Sequence, residues 1–404
     1  RHAQRAIECG LRDEQLGAVR AIQAWVAHFR LDLQGGYTYA LEALEILKPG
    51  SFWWTKTAAS CFYSLIMLGG FEHAGDLIRT FVASEPDPDT RLAYLESGFP
   101  LATLLAMSGM SGARHGCNQF IDRLTQVAAG VDPKDRGYLM LAMAWRTFYR
   151  EPDPYRALEE AQEAAALFLE SGNRQGFAGS LYMVGMALTD MEVTSGEEAL
   201  REARKVALAN GNIRHATMSH VQLGVNLAGQ ADAAKRAEAR RISDAYRDQP
   251  QLGPPLVGAV NRILAEVSMA AGDRETAEAA TLAALASYVS WPHYRMQVVP
   301  TAVALFLEQG RIAEARQLAE QTLAQIDEQG GLGICDVPVR LAVAQTRFAD
   351  GDLEGGGSAL QSALEQLRLR ADRIKDTGMR ESYLARPHHR RLIDLAREHD
   401  LRPF

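Results

Sequence analysis

The chain has 404 residues, 47% of them apolar and 23% charged, with a formal net charge of −7. That composition excludes collagen-like, disordered and disulfide-scaffold chains. The mild acidity argues against direct nucleic-acid binding, which needs a basic field on at least one face.

From the N-terminus onward, almost every window carries apolar residues at i, i+3, i+4 and i+7, and almost none alternates in the β manner, so the fold reads as all-α. Residues 1–32 read as N-terminal capping helices, 33–369 as helical repeats and 370–404 as C-terminal capping helices. The most apolar stretches, Thr57–Phe71 and Phe99–Ala113, are broken by polar or Gly residues and fall short of the roughly 18–20 apolar residues of a membrane helix. No membrane partner is expected. The cysteines Cys9, Cys61, Cys117 and Cys335 lie far apart without metal-ligand spacing, as buried thiols in a reducing, cytoplasmic compartment would. The chain opens on Arg1 rather than Met, which reads as an excised piece of a longer protein.

Helix-ending turns recur along the chain at Leu68–Ala74, Ser108–Gly112, Arg150–Pro154, Met191–Gly196, Ala228–Asp232, Ala271–Arg274, Gln309–Arg311 and Asp350–Asp352. From Gly229 to Gly272 is 43 positions, from Gly272 to Gly310 is 38, and from Gly310 to Gly351 is 41, a period of about 40 residues. Intermediate stops at Ser171-Gly172-Asn173, Asn210-Gly211-Asn212 and Gln329-Gly330-Gly331 divide each unit into two helices, with Gly at the left-handed closing position. The helix after each Gly-Asp turn carries small residues at helical spacing, including Ala157, Ala161 and Ala164, then Ala277, Ala280 and Ala284, then Ala315 and Ala319. Such a stripe lets two helix backbones approach closely.

The recurrent pattern Gly272-Asp273, Ala277, Ala283 and Gly310-Arg311, Ala315, Gln321 resembles tetratricopeptide repeats. Tetratricopeptide units run about 34 residues, so the longer period is more similar to the sensor arm of the bacterial maltose-regulon activator. The ending Gly378–Ala396 resembles the closing helix of myxobacterial-type regulators that join a Ser/Thr kinase, a nucleotide-binding ATPase module and helical repeats. These resemblances imply a right-handed superhelical α-solenoid of about nine to ten hairpins. They also imply a non-catalytic interaction or ligand-sensing arm of a larger cytosolic signalling or transcription regulator. Its partner would be a protein or peptide, its own upstream kinase or ATPase domain, or a small effector. A scaffold that self-associates through its ends is the alternative, for which an apolar patch at Ala21–Phe29 would speak.

Motifs for chemistry are missing. There is no G-x-x-x-x-G-K-[ST], G-x-S-x-G or H-E-x-x-H, and no enzyme activity, cofactor or metal is expected. Gly331-Leu332-Gly333 and Gly355-Gly356-Gly357 read as turn and helix-start glycines. His215 and His220 are five apart, about 140° around a helix, and would not share a metal. His388-His389 reads as a solvated pair at a helix start, and Glu159-Glu160 and Glu197-Glu198 as acids favoured in first turns.

The concave side of such an array is lined by the first helices of the hairpins. Groove candidates are the aromatics Trp53, Trp54, Tyr94, Trp145, Tyr149, Tyr182 and Tyr294, which recognition surfaces enrich together with Arg. Polar candidates beside them are Arg146, His220, Asn226, Arg262 and Arg295. Trp53 and Trp54 point about 100° apart on a helix, so one of the two is expected to meet the groove or a partner. An enzyme site assembled from His220 and Arg262 is the third and weakest reading. Leu367–Arg402 carries ten Arg or Lys against six Asp or Glu, a basic cap that is either solvated or docked on an acidic surface.

Overall fold

The computed structural model describes all residues except 1–4, 6–8, 69, 108–112, 192, 250, 251, 332 and 402–404, so the turn expected at Ser108–Gly112 lies outside the described residues. Twenty α-helices and no strand occur among the described residues, arranged as a right-handed superhelical α-solenoid. Nine hairpins follow in chain order. They are α1 (Asp13–Phe29) with α2 (Leu33–Ile46), α3 (Phe52–Met67) with α4 (Phe71–Ala83), and α5 (Arg91–Met107) with α6 (Ala113–Ala128). Next come α7 (Gly137–Arg150) with α8 (Pro154–Glu170), α9 (Arg174–Met191) with α10 (Val193–Ala209), and α11 (Ile213–Ala228) with α12 (Ala233–Tyr246). The last three are α13 (Pro254–Ala271) with α14 (Arg274–Ser287), α15 (Pro292–Glu308) with α16 (Ile312–Glu328), and α17 (Asp336–Ala349) with α18 (Leu353–Ala371). A short pair, α19 (Thr377–Leu384) and α20 (Pro387–Glu398), ends the array. The division drawn between residues 32 and 33 falls at the turn inside the first hairpin, because α1 packs on α2.

The Gly-Asp turns combine a stop and a start. Gly272 and Gly351 hold φ at +80° and +81°, and the amide of the next residue donates back five positions, Asp273 to Ser268 and Asp352 to Arg347. The aspartate then caps the following helix, Asp273 accepting from the Thr276 amide and Asp352 from the Gly355 amide. Asn212 does the same for α11. The expected alanines fill the seams. Ala157, Ala161, Ala164, Ala277, Ala284, Ala315 and Ala319 are fully buried, and a larger side chain there would push paired helices apart.

Two acids expected to be held by the helix dipole do a different job. Glu160 is buried and accepts from the Thr147 hydroxyl at 2.7 Å and from Arg156 at 2.9 Å, joining α8 to α7. Glu197 is buried on α10 and receives Lys235 of the next hairpin at 2.7 Å. Both lie beyond the first turn, where the dipole has faded, so tertiary partners hold them. His389 is also buried, not solvated, with Nδ1 2.6 Å from the Tyr383 carbonyl.

The first helices of hairpins four to five units apart meet across the concave side. The Tyr294 hydroxyl on α15 donates to the Met107 sulfur on α5 at 3.6 Å. Arg150 at the end of α7 is buried and donates to the Leu105 carbonyl and to Gln329, 179 residues away. The glycine pair expected as turn residues includes Gly333, where a Cβ would lie 2.1 Å from the Phe148 carbonyl oxygen. The basic C-terminal cap docks on this same chain. Arg386 donates to Asp190 at 2.9 Å and to the Thr189 and Asp190 carbonyls, and Lys375 pairs with Glu159 at 3.1 Å.

Because the obstacle at Gly333 is backbone and not a flexible side-chain end, Gly333→Ala should force the turn off α7. The expected loss is about 2 kcal/mol or more, read as a lower urea midpoint with helicity retained before the transition. An unchanged midpoint would contradict the close approach.

Candidate functional site

Cross-axis packing converts the expected open trough into two adjoining chambers. The larger is a cavity of about 100 Å³ whose walls come from eight helices, α3 through α15 by odd numbers together with α2. Its lining is apolar and aromatic, with Tyr63, Met67, Leu104, Met107, Trp145, Tyr182, Met218, Leu256, Ala259 and Tyr294 around it. The smaller, about 70 Å³, has a mixed lining, with His28, Lys56, Glu96, Gln175 and Asn212 beside Trp25, Tyr138 and Leu141. Phe99, Pro100, Gly179, Arg214 and His215 line both.

The elements position this boundary for local reasons. Pro100 inside α5 has no amide hydrogen, so the Glu96 carbonyl lacks its usual helical donor beside the smaller chamber. Arg214 and His215 occupy the first turn of α11 after the Asn212 cap. There the helix dipole disfavours cations. Arg214 instead lies over the Tyr63 ring, 4.9 Å from its centroid, with Nη2 3.3 Å from His215 Nε2. Its Nε is buried without a hydrogen-bond acceptor, and no carboxylate among the described residues pairs with it. Lys56, by contrast, is paired with Glu96 at 2.5 Å and lies over Trp25. His28 packs edge-on to Tyr63 at 4.5 Å. Burial pushes His28 and His215 well below the ordinary imidazole range, and the Arg214 charge pushes both further, so both rings are neutral near pH 7.

Of the residues expected in the groove, Trp145, Tyr182 and Tyr294 line the apolar chamber. Tyr149 is fully buried behind them, stacked on Trp145 at 5.6 Å and edge-on to His293 at 5.3 Å. Trp54 and Tyr94 are corrections: both sit in hairpin seams. Trp54 stacks on Phe81 of α4, and the Tyr94 hydroxyl donates to the Phe81 carbonyl at 3.0 Å. Trp53 is half-buried beside Phe52 and lines neither chamber. Arg146 pairs with Glu151 at 3.2 Å, and Asn226 donates to the Thr189 hydroxyl. His220 faces Tyr246 at 3.1 Å, while Arg262 is held by Glu266 at 2.7 Å and Gln297 at 2.6 Å, so the pair considered for catalysis is engaged separately. Arg295 is half-buried outside both chambers.

Sequence reasoning missed Arg214, His215, Met218 and Tyr63. The available signal was two basic residues set against a helix dipole directly after an Asn cap, a local choice that only tertiary packing rewards. Among the described residues no group of three His, Cys, Asp or Glu could hold a metal ion, and no helix is long and apolar enough to cross a membrane. Cys61, Cys117 and Cys335 are buried, and Cys9 is exposed, contrary to expectation. Burial pushes the Cys61 thiol up to about 12 and Cys117 to about 11, which makes them poor nucleophiles.

No family model matches this chain, and no curated protein matches it. Its fold is similar to that of NprR in complex with its cognate peptide NprX, with a TM-score of 0.54 and 11% identity over 85% of this chain and 98% of that one. Two other solved structures are a Rap protein complexed with competence and sporulation factor (TM-score 0.44, 12% identity, 96% and 99% covered) and yeast Tom70 (0.40, 14%, 95% and 88%). At such identity the likeness establishes the tetratricopeptide-like fold.

His293 and His389 are both buried, and burial pushes each ring down to about 3. In the unfolded chain an imidazole titrates near 6.5. The unfolded state therefore binds more protons between these values, and the stability both rings contribute is complete above about pH 6.5 and is lost as pH falls toward 3. The slope reaches about 1.4 kcal/mol per pH unit for each ring. Urea midpoints should fall between about pH 7 and pH 5, and His389→Gln should flatten the fall. A midpoint flat across that window would refute the assignment.

Proposed function

We propose that the chain is a non-catalytic, cytosolic ligand-sensing or interaction arm of a larger signalling or transcription regulator. The axial chamber is its receiving site. One observation carries this reading: the chamber wall is assembled from helices drawn from the first hairpin through the eighth. An occupant that touches α3, α7, α11 and α15 together favours whichever superhelical curvature brings them into contact, and that bias passes to whatever the ends of the array hold.

Size decides what enters. A water needs roughly 10–15 Å³ of such space, so a cavity of about 100 Å³ accepts a small effector, or one end of a peptide, and not a folded segment. NprR, of the same fold, is seen with a peptide; here a longer peptide would have to part the contacts across the axis. The aromatic and methionine lining supports binding of an apolar group, since it offers contact area and adaptable packing.

A mixed fragment library read by saturation-transfer NMR tests the chamber. Fragments bound by the wild-type chain should be lost in Ala259→Phe, which fills the wall with a ring while helicity is kept. The same fragments binding both proteins would place the site elsewhere.

A second reading, self-association through the ends, is favoured by Ile22 and Val26, one helical turn apart on the first helix and 40% and 43% exposed. If it holds, sedimentation at rising concentration shows a dimer that the paired changes Ile22→Glu and Val26→Glu dissolve. A wild-type chain that stays monomeric throughout would remove it.

A further inference from the structure

Resting on the chamber reading, we infer that the occupant is an anion: a carboxylate carried on a compact apolar body, its charged end on Arg214 and its body among Tyr63, Met107, Trp145 and Tyr182.

Charge at the boundary points this way. Lys56 and Glu96 cancel each other in a 2.5 Å pair. The imidazoles of His28 and His215 are held neutral, by burial first and by Arg214 second. Arg214 is left as the uncompensated cation between the two chambers, with ring and imidazole contacts but no carboxylate among the described residues. Half-buried guanidinium placed against an aromatic wall is costly without an anion, and a carboxylate meets its planar fork with two parallel hydrogen bonds. Arg150 shows how the same fold treats a structural arginine. That side chain is buried and is spent on the Leu105 carbonyl and Gln329. Arg214 instead has contacts with the Tyr63 ring, His215 Nε2 and the Met218 sulfur, with no paired carboxylate among the described residues, and it opens onto both cavities.

The adjoining volume sets the size of the body. About 100 Å³ holds roughly seven to ten water-sized groups, the scale of a short branched acid or of a single C-terminal residue with its side chain. These are two sources of one chemistry, and paired probes separate them: hexanoate against hexanamide for a free acid, and N-acetyl-leucine against N-acetyl-leucinamide for a peptide end.

Calorimetric titration of the full chain with the four probes is the test. At least one acid should bind roughly ten times more tightly than its neutral amide, and that preference should vanish in Arg214→Met. Since Arg214 also packs on Tyr63, a second variant guards against a folding defect. Met218 lies one turn along the same helix, its sulfur 4.0 Å from Arg214 Nη1. Met218→Glu supplies an internal carboxylate at helical i, i+4 spacing, and it should abolish the preference for acid over amide. Acid binding should also raise the pH at which the His215 ring titrates, followed by NMR, because the anion offsets the Arg214 charge. Acids and amides binding equally well, or a preference that survives both substitutions, would overturn the inference while leaving the chamber as a site. Binding of none of the four probes, together with fragments indifferent to Ala259→Phe, would remove chamber and inference alike.

Discussion

A hairpin of two helices has more apolar surface than it can cover by itself, and the close seam made by alanine governs everything built on it. Where Ala157, Ala161, Ala277 or Ala319 sits at the contact, paired backbones come near enough that larger neighbours fill the remaining gap without strain. Each hairpin still presents an uncovered face, so it must stack on the next, and the stacking continues until the short α19 and α20 pair ends it. The first helices, carrying most of the large residues, are then crowded toward the inside of the curve. Their meeting across the axis follows from that crowding, and the two chambers are the space that this packing leaves.

Polar groups inside the curve show how the closure is stabilised. An arginine in such a place is tolerated only when its donors are used. Arg150 and Arg386 use theirs on carbonyls and on side chains far away in sequence, so each is a tie between turns of the superhelix. The C-terminal cap joins this network through Lys375 and Glu159 as well. That exposed pair adds little free energy by itself, but Arg386 is mostly sheltered and fixes the cap against the end of α9. The cap and the walls of the chamber consequently share α9, which would give the proposed sensing arm a route between them.

Local features were readable because they act over a few residues. Gly272 and Gly351 as helix stops and the alanine stripes follow from neighbouring positions, and the fold confirms them; the caps that Asp273 and Asp352 form there are equally local. The aromatic candidates divided differently. Trp145, Tyr182 and Tyr294 reach the chamber, while Trp54 and Tyr94 turn into seams. Helical periodicity cannot separate these outcomes in α3 and α5, where nearly the whole circumference is buried and both the seam and the axis want apolar residues. Glu160, Glu197 and His389 misled for a related reason, since polarity near a helix start reads as surface until a buried partner such as Thr147, Lys235 or the Tyr383 carbonyl is found.

The amino-acid order alone determined that the chain is helical, that it repeats about every 40 residues, and where its helices stop and start, because propensity, capping and small-residue spacing are nearest-neighbour physics. Only the tertiary structure decided that the trough is bridged across its axis, that Arg214 has no paired carboxylate among the described residues at a boundary between two cavities, and that the basic cap finds its acidic partner within this chain. Those facts depend on contacts between residues up to 216 positions apart, which are set by the accumulated angle of many stacked hairpins and leave no periodic trace in any one of them.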